Sequence, residues 1–382
     1  MMNKPYVFTP GPTNVRENVR LARAIETTNP DLDKDFYDFY RETCNKIGEV
    51  LNTEKDVFIL SGEGILGLEA ACASLTEIGD RVLIIDNGVF GEGFADFVKI
   101  YGGIPVLYSV DRKREVDVEH LREFLGKDSN FKYATVVHCD TPSGVLNDIS
   151  KICPMLKEYG ILTVVDSVAA MGGEPINVDE WDIDIALGGS QKAFSAPPGL
   201  TIVTVSDDAD KAMRIRNTPI VGFYCNLTIW KGYYDKKWFP YTMPISDIYG
   251  LRVAIDNILE EGIENVHNRH KNIAVATRNA LTSYGLKLYL DSGFSSTVTV
   301  VEPPTGIEAN KLINYMRDNY NLLISGSFDY LENKVIRIGH MGENSRIDKI
   351  LFVLNTLDKS LNELGYKSKV NIIEEFNKYI IL

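Results

Sequence analysis

The sequence predicts an α/β fold: a large domain built on a mostly parallel, seven-stranded sheet covered by helices, followed by a smaller C-terminal α+β domain. Three observations lead there. Short apolar runs rich in Val and Ile recur through the first 206 residues, each bounded by Gly, Asp, Asn or Ser. Amphipathic stretches separate them, and runs apolar at nearly every position belong to strands covered on both faces. Beyond residue 245 the texture changes to long helical stretches with a few short strands.

In chain order, strands are expected at 55–60 (KDVFIL), 80–88 (DRVLIIDNG), 104–110 (IPVLYSV), 133–140 (YATVVHCD), 160–167 (GILTVVDS), 183–187 (IDIAL) and 199–206 (GLTIVTVS). The sixth run is read as breaking at Gly188-Gly189. Amphipathic stretches at 64–79, 118–126 and 151–160 supply the intervening helices. A long helical stretch over 246–285 has Gly262 as its break. It leads to a strand within 294–304, a helix at 306–320, a hairpin-like segment at 322–342 and a closing helix at 345–365. The expected division is 1–257, including the N-terminal segment, and 258–382.

Composition bounds the function. The net charge of −13 argues against a nucleic-acid surface, and no apolar run is long enough for a membrane span. Cys44, Cys72, Cys139, Cys153 and Cys225 are scattered without a C-x-x-C pair, as expected of free thiols in a reducing compartment. The N-terminus lacks a hydrophobic signal core, so a cytoplasmic protein is expected. The histidines at 120, 138, 267, 270 and 340 have no metal-ligand spacing; His267 and His270 are read as an exposed helical pair. No metal site is expected.

In open α/β sheets ligands bind beyond the carboxyl ends of the strands, which here carry Glu63, Asn87, Asp140, Thr141, Asp166, Gln191 and Lys192. The turn in LSGEGILGLEAA (60–71) aims backbone N–H groups and a helix N-terminus at an anion, although such turns occur wherever a strand feeds a helix. Asp86 leaves a dinucleotide reading open. Asp166 ends an apolar strand, where it is either a cap or a carboxylate awaiting a cation. Lys192, in GGSQKAFSAPPGL, is either a surface amine or a nucleophile with a depressed pKa. Together, an anion cradle, a carboxylate for a ring nitrogen and an amine for an aldehyde describe pyridoxal 5′-phosphate.

Nearly the whole chain resembles the class V, fold-type I pyridoxal-phosphate aminotransferases of the alanine–glyoxylate / serine–pyruvate branch. The motifs are TPGPTNV, SGEG…LEAA, DNGVFGEGF, HCDTPSGVLND, VVDSVAAMGGEPINVDEWDID, GGSQKAFSAPPGL, YTMPISDIYGLRVAI and VIRIGHMGENS. The resemblance implies that Lys192 holds the cofactor covalently and moves the proton between substrate and cofactor. Asp166 would pair with the pyridine nitrogen, Phe90 and Val168 would cover the two ring faces, and Thr141 would meet the phenolic oxygen. The phosphate would be met by backbone at Glu63, Gly64 and Ile65, by Gln191, and by Thr242 from a second subunit. Arg337 would clamp the substrate carboxylate, with Gly11 beside the substrate. The implied reaction is ping-pong transfer of an amino group from a small L-amino acid, alanine or serine, to a 2-oxo acid, glyoxylate or pyruvate. The implied assembly is a homodimer with shared active sites, and the aromatic stretch 222–239 is assigned to its interface.

The chain departs from that family in three places. Glu63 stands where relatives often carry a small hydroxyl residue near the phosphate, so its side chain is expected to turn away. Phe239 replaces a tyrosine that reaches the phosphate across the dimer, leaving Tyr241 as the candidate substitute. The segment RAIETTNPD lacks a histidine-arginine pair common in relatives. The alternatives on the same scaffold are a desulfurase-like or β-eliminating lyase and an aminophosphonate transaminase. A nucleotide-binding α/β protein with a structural Lys192 stands outside it. A desulfurase usually has a histidine directly before the lysine, where this chain has Gln191, and a late loop cysteine, which it lacks.

Overall fold

Seven strands form the central sheet of the computed structural model, which describes residues 4–381. Their spatial order is Asp56–Ser61, Leu200–Val205, Ile185–Gly189, Leu162–Asp166, Tyr133–Val137, Arg81–Asp86, Ile104–Ser109. Leu200–Val205 runs antiparallel to both neighbours and the remaining pairings are parallel. Tyr133–Val137, Ile185–Gly189 and Leu200–Val205 are buried at every position, which explains why their sequences do not alternate. Gly64–Leu75, Val89–Ile100, Val118–Leu125 and Ile149–Glu158 supply covering helices.

Local chemistry moved three boundaries. The strand expected at 133–140 stops at Val137; Cys139–Asp140 turns back to pair with Val145–Leu146. The strand expected at 183–187 starts two residues late and runs through the glycine pair. Asp184 is occupied otherwise, its carboxylate accepting from Lys157, the Thr163 amide and Ser206. Gly188 pairs with Ile202 in that strand, and only glycine fits there, since a Cβ would lie 2.2 Å from Met171 Sδ. The helix from Gly64 ends at Leu75, where Thr76 becomes extended.

A second core is built around the antiparallel strands Lys287–Leu288, Val298–Glu302 and Ile336–Gly339, with helices Ile263–Tyr284, Ala309–Tyr320 and Ile347–Glu363. Gly262, at φ +83°, separates Ile245–Glu261 from Ile263–Tyr284 as expected. The segment 322–342 is not a regular hairpin. Leu322–Leu323 pairs in parallel with Tyr6–Val7, while Ile336–Gly339 pairs with Val298–Glu302. The N-terminal strand, expected with the large domain, therefore joins the C-terminal body, and Phe8 lies in its core. A further helix, Ile372–Tyr379, buries Ile372 and Phe376 there. His270, expected at the surface, is buried, with Nε2 accepting the Gly342 amide at 2.8 Å. In the aromatic stretch Trp230 and Phe239 are interior, whereas Phe223, Tyr224 and Trp238 are exposed.

Candidate active site

Lys192 follows the Ile185–Gly189 strand in a turn that Ser190 fixes by donating to the Pro197 carbonyl at 2.6 Å. Its Nζ donates to the Pro10 carbonyl at 2.7 Å. Gly11, at φ +86°, is required by this approach, since a Cβ there would lie 2.4 Å from Lys192 Cδ. Burial, reinforced by the Arg337 charge, lowers the lysine pKa, and Glu63, Cys139 and Asp166 offset part of that shift. No carboxylate pairs with this amine among the described residues. An amine so placed is a candidate nucleophile and proton carrier.

Asp166 ends the neighbouring strand and is 5% exposed. No helix follows it; Oδ1 accepts the Val168 amide at 2.9 Å and holds the next turn. Burial raises its pKa to about 7, with the Val168 N–H and Lys192 pulling down and Asp140 and Glu63 pushing up. A cationic N–H would relieve this cost. Val168 packs against two glycines: a Cβ on Gly64 would meet Val168 Cγ2 at 2.8 Å, and one on Gly189 would meet Cγ1 at 3.3 Å. Phe90 opens the Val89–Ile100 helix, its amide donating to Asp140 Oδ1 at 3.1 Å. Both side chains line one cavity together with Asp166, Lys192, Thr141, Cys139, Leu68, Ala169, Glu63, Gly64 and Ile65.

Arg337 lies in the Ile336–Gly339 strand of the C-terminal body. Its Nε donates to the Gly326 carbonyl at 2.6 Å and Nη1 to the Thr141 carbonyl at 3.1 Å. Of five guanidinium N–H groups these use two, leaving the Nη1/Nη2 edge for an end-on carboxylate. Burial lowers its pKa to about 10, Asp140 acting the other way, so the charge persists at neutral pH.

The anion end differs from expectation. The Glu63 side chain does not turn away. Oε2 accepts the Ile65 amide at 3.0 Å and Oε1 accepts from Gln191 Nε2 at 2.5 Å. Two donors assigned to a phosphate thus already hold a carboxylate. The Tyr241 hydroxyl accepts the Ser61 amide at 3.0 Å within its own chain, with its own O–H left to donate. Thr242 is exposed and lies outside the cavity lining. The ring end therefore fits a pyridoxal ring, with amine, carboxylate and two covering side chains in place; the Glu63 end does not fit a 5′-phosphate in this arrangement.

Of the expected site residues, Lys192, Asp166, Glu63, Gly64, Ile65, Phe90, Thr141 and Val168 share the cavity; Gly11 lies against Lys192, Gln191 bonds Glu63, Arg337 reaches the Thr141 carbonyl, and Thr242 stays outside. No side-chain signal marks the Pro10 carbonyl, whereas the structural work of Asp140 is signalled by its strand-end position. A larger groove of about 910 Å³ opens near Lys55, Asp56 and Asp179, at the amino end of Asp56–Ser61. Lys55 and Asp179 there pair at 3.4 Å. The smaller cavity carries the unsatisfied chemistry.

The aminotransferase class-V family profile matches residues 14–326. An uncharacterized aminotransferase of Methanocaldococcus jannaschii is 38% identical over 373 residues, covering 97% of this chain and 96% of that protein. A pyridoxamine–pyruvate transaminase of Mesorhizobium japonicum is 32% identical over 363 residues, covering 94% and 92%. The crystal structure of a ureidoglycine–glyoxylate aminotransferase of Bacillus subtilis superposes with TM-score 0.95 at 28% identity, covering 99% of this chain and 98% of that one. These matches include fold-type I aminotransferases, whose mostly parallel sheet this chain shares. The chain belongs to the class-V aminotransferase family.

Proposed function

We propose that this aminotransferase moves an amino group between a small L-amino acid and a small 2-oxo acid, glyoxylate or pyruvate, through a pyridoxal ring held at Lys192 and Asp166. The observation that carries the reading is an unpaired amine and a buried carboxylate in one cavity, with Arg337 beside them. Relatives named for pyruvate and glyoxylate as amino acceptors support small oxo acids.

The pyridoxal group, when bound, supplies a carbonyl that takes up the amino group and a ring that delocalises the electrons left by α-proton removal. Lys192 Nζ, its pKa lowered, takes that proton from the substrate α-carbon and returns it at the other reacting carbon. Asp166 holds a proton on the ring nitrogen, which in turn keeps its own buried charge compensated. Phe90 and Val168 would cover the ring faces and keep water from them, and Thr141 would meet the ring hydroxyl. Arg337 fixes the substrate carboxylate through its free edge, with Gly11 leaving room beside the amine. Two half-reactions alternating on one site give ping-pong kinetics.

Cys139 lines the same cavity, but burial pushes its thiol up to about 12, which disfavours a desulfurase-type thiolate. We place the protein in the cytoplasm as a homodimer, with Thr242 and the exposed Phe223, Tyr224 and Trp238 facing the partner. A domain division near 257 accompanies this reading. The deciding experiment mixes ring-loaded protein with single amino acids and identifies which yields its oxo acid. Sedimentation tests the dimer. If no amino acid is converted and borohydride fixes no carbonyl ligand on Lys192, the reading fails.

A further inference from the structure

Two donors at the anion end of the cavity are held by a carboxylate of the chain itself. Ile65 N–H and Gln191 Nε2 both donate to the Glu63 carboxylate. The other end of the Gln191 amide, Oε1, is buried and has no hydrogen-bond partner among the described residues. The bond to Glu63 fixes which end of that amide is which. A phosphate dianion accepts hydrogen bonds and donates none, so at this end it would meet a carboxylate of its own sign. A hydroxymethyl group donates one O–H, which that carboxylate can accept.

We propose that this site selects the pyridoxal ring with a free 5′-hydroxymethyl arm over the 5′-phosphate form, Glu63 being the acceptor that reads the hydroxyl. The inference rests on the ring-binding reading above and adds to it the class of ring ligand. Glu63 is the selecting residue because it does two things at once. It fills the helix N-terminus of Gly64–Leu75, which would otherwise attract an anion, and it presents negative charge to whatever enters. Lysine amine and ligand aldehyde condense to a C=N bond with loss of one water for either ligand, so that step is common to both. Selection therefore lies in the 5′ arm.

The test uses protein freed of bound ligand, titrated separately with pyridoxal and with pyridoxal 5′-phosphate in phosphate-free buffer. Binding is read by absorbance. Borohydride then adds hydride to the C=N carbon, leaving a secondary amine, and the Lys192 peptide is identified by mass. Native protein is expected to bind pyridoxal at least about tenfold tighter than its phosphate. Glu63→Ser, which removes the charge and leaves a short hydroxyl, is expected to shift that ratio toward phosphate by about tenfold or more. Glu63→Gln keeps the length and a hydrogen-bonding oxygen, and should shift it the same way. A smaller native preference, or a ratio that neither variant moves, overturns the inference while leaving ring binding at Lys192 intact. If either variant misfolds, the native ratio decides alone. Failure of both ligands to label Lys192 removes the ring-binding reading together with this one.

Discussion

At one end of the cavity Asp166 and Lys192 are charged or chargeable groups held without a carboxylate–amine pair; at the other, Glu63, Gln191 and Ile65 have paired among themselves. The carboxyl ends of the same sheet build both ends of the cavity from strand termini and glycine-rich turns. What differs is who supplies the missing partner. Burial raises Asp166 to about 7 and lowers Lys192, so both groups gain from a ligand that brings a ring N–H and a carbonyl. At the Glu63 end the chain has supplied the anion itself. A cavity with one end unsatisfied and the other closed recognises its ligand mainly by the open end.

The largest effect should come from removing the amine. Lys192→Ala is expected to lower turnover by roughly four orders of magnitude, because covalent attachment and proton transfer are lost together. Single-turnover rates with amino acid check it, and normal turnover would dissolve the distinction between the two ends. Asp166→Asn should slow the α-proton step by about two to three orders of magnitude, since an amide cannot hold a proton on the ring nitrogen. A solvent-exchange rate at the substrate α-carbon measures that step directly. Arg337→Lys acts further from the ring. It should raise KM for amino and oxo acids by roughly ten- to a hundredfold while ring binding changes little, because an ammonium cannot present two parallel N–H groups. Amines without a carboxylate serving as the better substrates would contradict it.

The fold was legible where one face of physics dominates. Seven apolar runs predicted seven strands: burial on both faces leaves a continuous signal in the central ones, while the edge strand Ile104–Ser109 buries only Tyr108. Register was not legible: nothing local says that Asp184 is taken up by Lys157 and Thr163, or that Gly188 lies against Met171. The pairing of Tyr6–Val7 with Leu322–Leu323 joins segments more than 300 residues apart, beyond any periodicity argument. Most site residues were legible because lysine, aspartate and arginine after apolar strands are costly without a purpose. Glu63 was noticed for its charge, but its direction was misjudged. Turning away leaves a helix N-terminus uncapped, and capping proved the stronger demand.

The smallest predicted effect tests the open end without any ligand. In the ligand-free chain Asp166 has a pKa of about 7 against 3.8 for the unperturbed side chain. The folded state then binds this proton more tightly than the unfolded state does. Below about pH 4 both states are protonated and the group's contribution is fully present; as pH rises through 7 the fold must bury a charge and that contribution is lost. The full shift sets a ceiling of about 4 kcal/mol, at ~1.4 kcal/mol per pKa unit. Asp166→Asn keeps an oxygen for the Val168 amide and carries no titrating proton. Urea unfolding of ligand-free proteins should find the variant more stable than the native chain by about 1–3 kcal/mol at pH 8, and nearly equal to it at pH 4. Parallel pH profiles for native and Asp166→Asn would mean that the carboxylate is compensated within the chain, and that the two ends of the cavity are alike.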